Sequence, residues 1–371
     1  MQARSDTGAH WAFVPHALPP RAWVVPGQCQ LLLSDADTAL GGLVGLVEQV
    51  PNPMLLIAPM TRREAVSSSR IEGTTADFAD LAQFEGTGRI TPGRDDVREV
   101  SNYRRALHTG ENLLKRLPVC TRLARQLHQV LLEGVRGGEQ RPGELRRRQV
   151  FIGPPGCSLE QATFVPPPVE ELEQALLGWE NYANTRGDFP PLVRAALIHY
   201  QFEAIHPFLD GNGRVGRLLI IMSLLTEGRL RRPVLYLSPF FERTREQYYG
   251  QLLAVSERGA WSEWVEYFLR GVVEQSGEGL RQCRDLLALR DTYHGRLTAV
   301  KASPLALRLA DLLFEEPVFV VPHAAQVLGV TYRGAQKAIG RLVEVGILRQ
   351  VAAGGRHRYA YIADDIQRLM T

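Results

Sequence analysis

A polar loop of twelve residues between two apolar helices constrains this chain more than any other feature. The loop reads HPFLDGNGRVGR, from His206 to Arg217. Residues 192–205 before it carry apolar side chains at helical spacing, and Pro207 cannot continue that helix. Residues 215–225 after it are almost all apolar, as in a helix buried within a domain core. The pattern predicts a mainly α-helical fold in which the loop ends one core helix and begins the next.

The loop has the features of an anion-binding site. Gly211 and Gly213 allow backbone angles and close approaches that a side chain would block. The first N–H groups of the following helix have no partner inside it, and they point into the loop at the positive end of the helix dipole. Arg214 and Arg217 share one face of that helix, and two guanidinium groups suit a polyphosphate better than one carboxylate.

Two more side chains of the loop add reactive chemistry. Asp210 supplies a hard oxygen ligand, suited to a Mg²⁺ ion that sits on phosphate oxygens. His206, with a reference pKa of about 6.5, can accept a proton at neutral pH. Each residue alone has an ordinary structural explanation, but their joint occurrence predicts phosphoryl or nucleotidyl transfer. An EF-hand is excluded because Arg214 and Val215 stand where that loop needs an oxygen ligand and Gly.

The loop resembles the signature of the Fic family, HPFx[D/E]GNGRxxR, at every specified position. Members of this family typically transfer AMP from ATP to a Ser, Thr or Tyr hydroxyl of a protein. The resemblance implies that His206 is the catalytic base, that Asp210 binds Mg²⁺, and that Tyr248 lies beside the adenine. It further implies nucleotide-binding roles for Gly211, Asn212, Gly213, Arg214 and Arg217. Position 256 carries Ser where relatives often have an Asn that touches the base.

A second motif follows a helix expected at about 60–71. Glu72 stands in its last turn, where the helix dipole disfavours an anion by about 0.3–1 kcal/mol, and Gly73 supplies a left-handed stop. The segment resembles the Fic inhibitory motif [S/T]xxxE[G/N], with Ser68, Glu72 and Gly73 at the specified positions. The resemblance implies that Glu72 pairs with Arg217 and prevents productive placement of the γ-phosphate. A solvated surface glutamate is the alternative.

A β-hairpin is predicted between residues 149 and 166. The segments QVFI (149–152) and ATFV (162–165) alternate around a GPPGC turn region. The resemblance implies a flap here that positions the target segment by strand addition, with docking residues Val150, Phe151, Ile152 and Gly153. A hairpin with only a structural role is the alternative.

The pattern changes from about Ser303. The expected elements are, in order, a helix, a strand, two helices and a two-stranded hairpin, at 304–314, 319–321, 323–328, 332–345, 347–351 and 358–362. This is the order of a winged helix. Basic side chains lie on one side of the third helix and in the wing, at Arg333, Lys337, Arg341, Arg356 and Arg358. A DNA-binding module and an interaction or dimerisation module both remain open.

Helical periodicity places further helices in the rest of the chain. They are expected at about 31–50, 74–84, 95–116, 122–135, 169–186, 244–258 and 261–273, with TTAD at 74–77 as a capping box. The first 30 residues, rich in proline and aromatic side chains, are expected to form an irregular arm. The predicted domains are an N-terminal helical region (1–95), a Fic core (96–290) and a winged helix (291–371).

The composition bears on the compartment. The net charge of +3 gives no general reason to expect a nucleic acid or a membrane as partner. Unbroken apolar stretches fall short of the ~20 residues of a membrane span, and MQARSDTGAHW lacks the apolar region of a signal peptide. Four widely spaced cysteines without a CxxC pair indicate reduced thiols. A cytoplasmic protein is therefore expected.

The expected function is that of a protein adenylyltransferase. It would transfer AMP from ATP, with Mg²⁺, to a hydroxyl of a protein substrate or of the chain itself, and Glu72 would inhibit it. A homodimer is also expected. Two alternatives remain open: the same site removes AMP from a modified protein, or the Fic core only senses nucleotide within a DNA-binding regulator.

Overall fold

The computed structural model describes residues 2–5, 8–154, 156–187, 189–352 and 358–370. Within these residues the chain forms fifteen α-helices and five β-strands, which confirms the mainly α-helical class. The helices are α1 (Gly27–Gln49), α2 (Met54–Ile71), α3 (Phe78–Thr87), α4 (Val97–Leu113), α5 (Thr121–Leu131), α6 (Val169–Asn184), α7 (Pro191–Ile205), α8 (Asn212–Thr226), α9 (Ser238–Arg243), α10 (Arg245–Arg258), α11 (Trp261–Ala299), α12 (Pro304–Glu315), α13 (Val321–Leu328), α14 (Tyr332–Glu344) and α15 (Asp364–Met370). The strands are β1 (Gln2–Ser5), β2 (Gly8–Trp11), β3 (Val318–Phe319), β4 (Arg349–Ala352) and β5 (Tyr359–Ile362).

These elements form two compact units. The first consists of residues 1–40 and 102–275, and the second of residues 41–101 and 276–371. The boundaries fall inside α1, α4 and α11. This division differs from the three consecutive domains expected from the sequence, because each unit combines segments that are distant along the chain. The three-domain boundaries stay a prediction.

The centre of the first unit is the pair α7 and α8, against which α5, α6 and α10 pack. From Leu192 to Ile205, every residue of α7 except Glu203 is buried. Gly216 of α8 permits the close approach of the two helices, because a Cβ there would clash with the Glu203 carboxylate and lie 3.2 Å from the His199 ring. The two core helices predicted around the polar loop are confirmed, and α8 begins inside the motif.

Two helix starts in the second unit were predicted wrongly. α2 begins at Met54 rather than at residue 60 and contains Pro59. Residues 55–58, directly before this proline, are all buried, so they lack the amphipathic period that marks a helix in a sequence. α3 begins after Asp77, whose side chain forms a capping box with Asp80, so Thr74 is not the cap.

The length of α11 was also underestimated. It continues to Ala299 rather than to residue 273, although glycines interrupt its sequence. Glycine weakens an exposed helix, but close packing explains two of these positions. A Cβ at Gly271 would meet the Phe240 ring at 2.8 Å, and one at Gly279 would meet Met60 at 3.0 Å.

Several short elements of the chain were not predicted. β1 and β2 pair as an antiparallel hairpin where an irregular arm was expected. The helices α9 and α15 were not predicted, because each is shorter than the window over which a periodic pattern can be recognised.

The C-terminal segment has the predicted order of helices and strands. β3, β5 and β4 form an antiparallel three-stranded sheet in that order. Thr331 caps α14, since its hydroxyl accepts the Gly334 N–H at 3.2 Å. Residues 353–357, which join the two strands of the predicted hairpin and include Arg356, lie outside the described residues. In this unit α12 packs on α2, and β3 packs on α3.

Two simple expectations concern thiols and membranes. None of the four cysteines forms a disulfide bond. By length and composition alone, α1 is apolar enough to cross a membrane, a test that core helices of water-soluble proteins also pass. The absence of a membrane partner stays a prediction.

Candidate active site

His206 lies at the junction between α7 and the polar loop. It is the C-cap of α7, with left-handed backbone angles (φ 51°, ψ 62°), and its backbone N–H donates to the Phe202 carbonyl at 3.0 Å. Nδ1 of its ring lies 3.3 Å from the Glu203 carbonyl oxygen, which can only accept a hydrogen bond. The contact therefore places a proton on Nδ1 and makes Nε2 the basic nitrogen of the half-buried ring.

Asn212 closes the loop with its side chain. Its Oδ1 accepts the Phe208 N–H at 2.8 Å, and its Nδ2 donates to the Phe208 carbonyl at 2.9 Å. Both ends of this buried amide hold the backbone of Phe208. The Asn212 side chain therefore fixes the shape of the loop, and its contact with a nucleotide stays a prediction.

Arg214 and Arg217 lie in the first two turns of α8 and are 1% and 2% exposed. The helix begins after Gly211 (φ 76°), and its first turn contains no acidic residue. Two guanidinium groups beside the first N–H groups of α8 concentrate positive charge at this helix end, which suits a polyanion as ligand.

Asp210 presents its carboxylate at the same helix end. Oδ1 accepts the Gly211 N–H at 2.6 Å and lies 3.8 Å from Arg214 Nη2, and the side chain is 43% exposed. Among the described residues no group of three or more His, Cys, Asp or Glu could hold a metal by itself. One accessible carboxylate fits Mg²⁺, which commonly binds through one or two protein carboxylates, substrate phosphates and water.

His128 of α5 packs against the loop and binds its backbone. It is fully buried, and its ring stacks on Phe208 with centroids 3.9 Å apart. Nδ1 accepts the Gly143 N–H at 2.8 Å, so the proton is on Nε2, which donates to the Asp210 carbonyl at 3.0 Å. The imidazole thus fixes the backbone that carries the candidate metal ligand.

Arg146 supports the other end of the loop. It is a buried residue in the segment between α5 and the flap. Its Nε donates to the His206 carbonyl at 2.9 Å, and its backbone N–H donates to the Pro207 carbonyl at the same distance. Burial lowers its pKa to about 10, so the guanidinium remains charged at pH 7.

Tyr248 lies in the core of the first unit. It is buried, its hydroxyl is 2.7 Å from His199 Nε2, and its ring stacks on Phe241 at 4.4 Å. Burial, and then the charge of Arg217, lower the pKa of His199 to about 3, so this histidine is neutral. The neighbouring Tyr249 is exposed. The place of Tyr248 beside an adenine stays a prediction.

The predicted flap hairpin is reduced to one bridge, so its expected extent was wrong. Ile152 and Phe164 exchange two backbone hydrogen bonds of 2.8 and 3.0 Å. Val165 accepts a further hydrogen bond from Phe13, which occupies that edge of the second segment. Prolines and a short 3₁₀ turn between the segments prevent a longer ladder.

The outer segment of the flap is open to solvent. Phe151 and Ile152 are 40% and 42% exposed, and Gly153 is exposed as well. In the part of the chain that the structure describes, Phe151 and Gly153 make no backbone–backbone hydrogen bond. Val150 is half-buried beside them. The four predicted docking residues therefore lie together on the open edge of the flap.

The segment that resembles the inhibitory motif lies at the C-terminal end of α2 in the second unit. Ser68 is buried, and Glu72 is the half-buried C-cap of the helix. Gly73 has a φ of 94°, the left-handed stop that was predicted, and its N–H donates to the Arg70 carbonyl at 2.9 Å. The pairing of Glu72 with Arg217 stays a prediction.

Sequence reasoning missed both supporting residues, although each leaves a weak signal. His128 stands on the apolar face of α5 with Leu127 and Leu131, where a polar ring is unusual. Arg146 opens the run of three arginines at 146–148, which looks like a solvated charge cluster. Only the fold shows that the first of the three is buried.

Two family models match this chain. The model described as Fic/DOC family N-terminal matches residues 30–112, and the model described as Fic/DOC family matches residues 118–224. Together they span just over half of the chain, and the second contains the signature loop. This chain belongs to the Fic/DOC family. The family resemblance predicted from the loop is confirmed.

The Fic chain is similar to curated proteins over about half of its length. It is 28% identical over 209 residues to the protein adenylyltransferase fic-1 of Caenorhabditis briggsae. It is 30% identical over 192 residues to the protein adenylyltransferase Fic of Drosophila grimshawi. These alignments cover 53% and 50% of this chain. The chain spans 37% and 36% of the lengths of those two relatives.

Solved structures share the fold of the Fic chain. A Fic family protein from Desulfovibrio desulfuricans has a TM-score of 0.59 at 19% identity, and the match covers 92% of this chain and 97% of that one. Residues 134–508 of Fic-1 from Caenorhabditis elegans give a TM-score of 0.54 at 20% identity, covering 70% and 75% of the two chains. At these identities the likeness establishes the fold alone.

Proposed function

We propose that this protein transfers AMP from ATP to a hydroxyl group of a protein. One observation carries the proposal: a single loop joins a basic imidazole to a helix N-terminus with two buried arginines. The similarity to proteins named protein adenylyltransferase supports the same reaction. ATP is the substrate whose polyphosphate best matches this charge arrangement.

The reaction is an in-line displacement at the α-phosphorus. The acceptor hydroxyl oxygen forms a bond to the α-phosphorus, and the bond from that phosphorus to the bridging oxygen of the β-phosphate breaks. The proton of the hydroxyl moves to Nε2 of His206, and pyrophosphate leaves. General-base catalysis of this kind contributes roughly 10²–10⁴-fold.

The groups at the start of α8 stabilise the charge of the reacting polyphosphate. The backbone N–H groups of Asn212 and Gly213 serve the ligand as hydrogen-bond donors, and Arg214 and Arg217 compensate the β- and γ-phosphates. The Gly211 N–H instead donates to Asp210 Oδ1, so Gly211 contributes through its left-handed backbone at the start of the helix. Asp210 is the residue that would hold Mg²⁺. When bound, this ion neutralises part of the phosphate charge.

In this proposal the flap selects the protein segment that carries the acceptor hydroxyl. The open edge formed by Val150, Phe151, Ile152 and Gly153 suits an extended target segment that adds to it as a strand. A target in the chain itself makes automodification part of the proposal. A homodimer is also proposed, and sedimentation equilibrium tests it.

Glu72 is proposed to inhibit transfer by pairing with Arg217. Opposite unit charges 4 Å apart gain about 4 kcal/mol at an effective dielectric near 20, before desolvation. A gain of that size is enough to bias how the γ-phosphate docks. A Glu72→Gly variant then gives the more active enzyme for testing.

Transfer of label tests the proposed direction of the reaction. The Glu72→Gly protein is incubated with Mg²⁺ and ATP radiolabelled at the α-phosphate, and protein-bound label is followed with time. The proposal expects label to accumulate on protein. If wild type instead strips AMP from pre-labelled protein while neither form adds it, the reverse reaction with water as acceptor replaces the proposal.

A second candidate function, DNA binding, rests on the exposed face of α14. Tyr332, Arg333, Gln336 and Lys337 are exposed on this helix. Within the described chain neither Arg333 nor Lys337 forms an ion pair, whereas Arg341 pairs with Glu344 at 2.7 Å. Two uncompensated cations and polar side chains on one helix face are suited to a DNA groove. We propose DNA binding as an added property of a winged-helix tail.

A further inference from the structure

Arg146 joins the loop that carries the base to the chain that leaves the flap. Its Nε donates to the His206 carbonyl at 2.9 Å, and its Nη2 donates to the Pro167 carbonyl at 2.5 Å. Its backbone N–H donates to the Pro207 carbonyl. Pro167 directly follows the flap, and His206 carries the proposed base. One side chain thus holds both partners of the proton transfer, the base and the support of the acceptor.

The chemistry of this link requires a guanidinium group. Arg146 is 2% exposed, so the three carbonyl oxygens it serves have little access to water in its place. Two of its nitrogens reach two carbonyls that are 39 positions apart in the chain, in a fixed planar geometry. A lysine has one nitrogen and cannot hold both acceptors at these positions.

The His206 backbone needs such a link. A non-glycine residue with a φ of 51° adopts a left-handed conformation that the surrounding structure must hold. The hydrogen bond from Arg146 fixes the carbonyl of this residue, and the one from the Arg146 backbone fixes the next carbonyl. Without them the peptide after His206 can rotate, and the imidazole moves with it.

We propose that Arg146 is a positioning residue that sets the distance between the flap edge and the His206 imidazole. A hydroxyl on a segment docked along residues 150–153 then reaches Nε2 in register. Arg146 touches neither nucleotide nor acceptor in this account. The inference rests on the proposed function, because the distance between the flap edge and the imidazole matters only if AMP is transferred to a hydroxyl on the docked segment.

The test compares variants in the Glu72→Gly background. Arg146→Lys keeps the charge but loses one side-chain link, and Arg146→Gln removes the charge. Arg147→Gln is the matched control, because Arg147 is the next residue, is 74% exposed and pairs only with Glu144 in the described chain. The measurements are the rate of automodification with α-labelled ATP, the dissociation constant for ATP, and hydrogen exchange of the peptide 149–166.

If Arg146 is a positioning residue, its variants should change the labelling rate and the hydrogen exchange of the flap but not the affinity for ATP. Both Arg146 variants should lose about 100-fold in labelling rate, since a misplacement of about 1 Å can cost that much. The ATP dissociation constant should stay within about twofold, and the flap peptide should exchange faster. Arg147→Gln should match its parent in all three.

Other results overturn the inference. Unchanged labelling in both Arg146 variants does so, and so does a loss of ATP binding in step with labelling, which indicates a merely structural role. If the Glu72→Gly parent itself adds no label, the proposed function fails. In that case hydrogen exchange still tests whether Arg146 holds the flap to the loop. Unchanged exchange of the flap peptide in Arg146→Gln would refute this.

Discussion

Nε2 of His128 donates a hydrogen bond of 3.0 Å to the backbone carbonyl of Asp210. Burial lowers the pKa of His128 to about 4, so the ring is neutral at pH 7 and keeps one donor and one acceptor. Its acceptor, Nδ1, is used by the Gly143 N–H. In a protonated ring Nδ1 would carry a hydrogen that faces the Gly143 N–H. The hydrogen bond between Gly143 and His128 therefore requires the neutral imidazole.

This relationship predicts how stability depends on pH. The pKa of His128 is about 4 in the folded protein and about 6.5 in the unfolded chain. Between these values the unfolded chain binds a proton that the folded protein does not, so the free energy of unfolding decreases as the pH falls from 6.5 to 4. The full contribution is roughly 3 kcal/mol, and His199 acts in the same direction.

Urea unfolding at pH 7 and pH 5 measures this effect. Wild type should lose stability between the two pH values, and His128→Gln should lose clearly less, because the variant has no titrating ring at this position. An identical loss in both proteins would show that His128 does not titrate as described.

The close crossing of α7 and α8 predicts a large effect of one added methyl group. Gly216→Ala should lower the free energy of unfolding by about 1–3 kcal/mol, because its Cβ would lie 3.2 Å from the ring of the fully buried His199 and would displace the Glu203 carboxylate. Gly178→Ala is the control. It lies inside α6 with no atom within 4 Å of an added Cβ, so it should raise stability by about 0.5–1 kcal/mol. Equal effects in thermal or urea unfolding would contradict the packing.

Inhibition by Glu72 predicts that charge, rather than shape, is the decisive property. Glu72→Gln and Glu72→Gly should both raise the rate of label transfer, on the order of tenfold or more, which corresponds to about 1.4 kcal/mol. Gln keeps the size of the side chain and removes the carboxylate. An increase in Gly alone would point to the backbone of the C-cap instead of to an ion pair.

DNA binding by α14 predicts a specific salt dependence. A Lys337→Glu, Arg333→Glu double variant should bind a labelled duplex more weakly and show a salt slope smaller by about 2, since two phosphate contacts are lost. Arg349→Glu is a control, because Arg349 already pairs with Asp364 at 2.5 Å. Fluorescence anisotropy at two salt concentrations checks both. Equal binding by all three proteins would remove α14 as the DNA-binding helix.

Local chemistry made much of the site predictable. Pro207 prevents α7 from continuing, because a proline lacks an N–H, and Gly211 caps the start of α8, because a glycine accepts a positive φ. Gly73 ends α2 for the same reason. The functional residues of the loop follow these breaks directly, so their arrangement depends on neighbours within a few positions of the chain.

The unpredicted parts depend on contacts across long stretches of sequence. Arg146 reaches a carbonyl 60 positions away, and His128 reaches one 82 positions away. No periodic pattern encodes such pairings. The predicted extent of the flap hairpin was wrong for another reason, because alternation in 149–152 and 162–165 suggested a ladder that the neighbouring prolines limit to one bridge.

The most direct test of the account is intact-mass analysis after incubation with ATP and Mg²⁺. Glu72→Gly should gain the mass of one or more AMP groups. Glu72→Gly combined with His206→Ala should bind ATP with a similar dissociation constant and gain none. An equal gain of AMP by the double variant would contradict His206 as the base, and no gain by either protein would contradict AMP transfer itself.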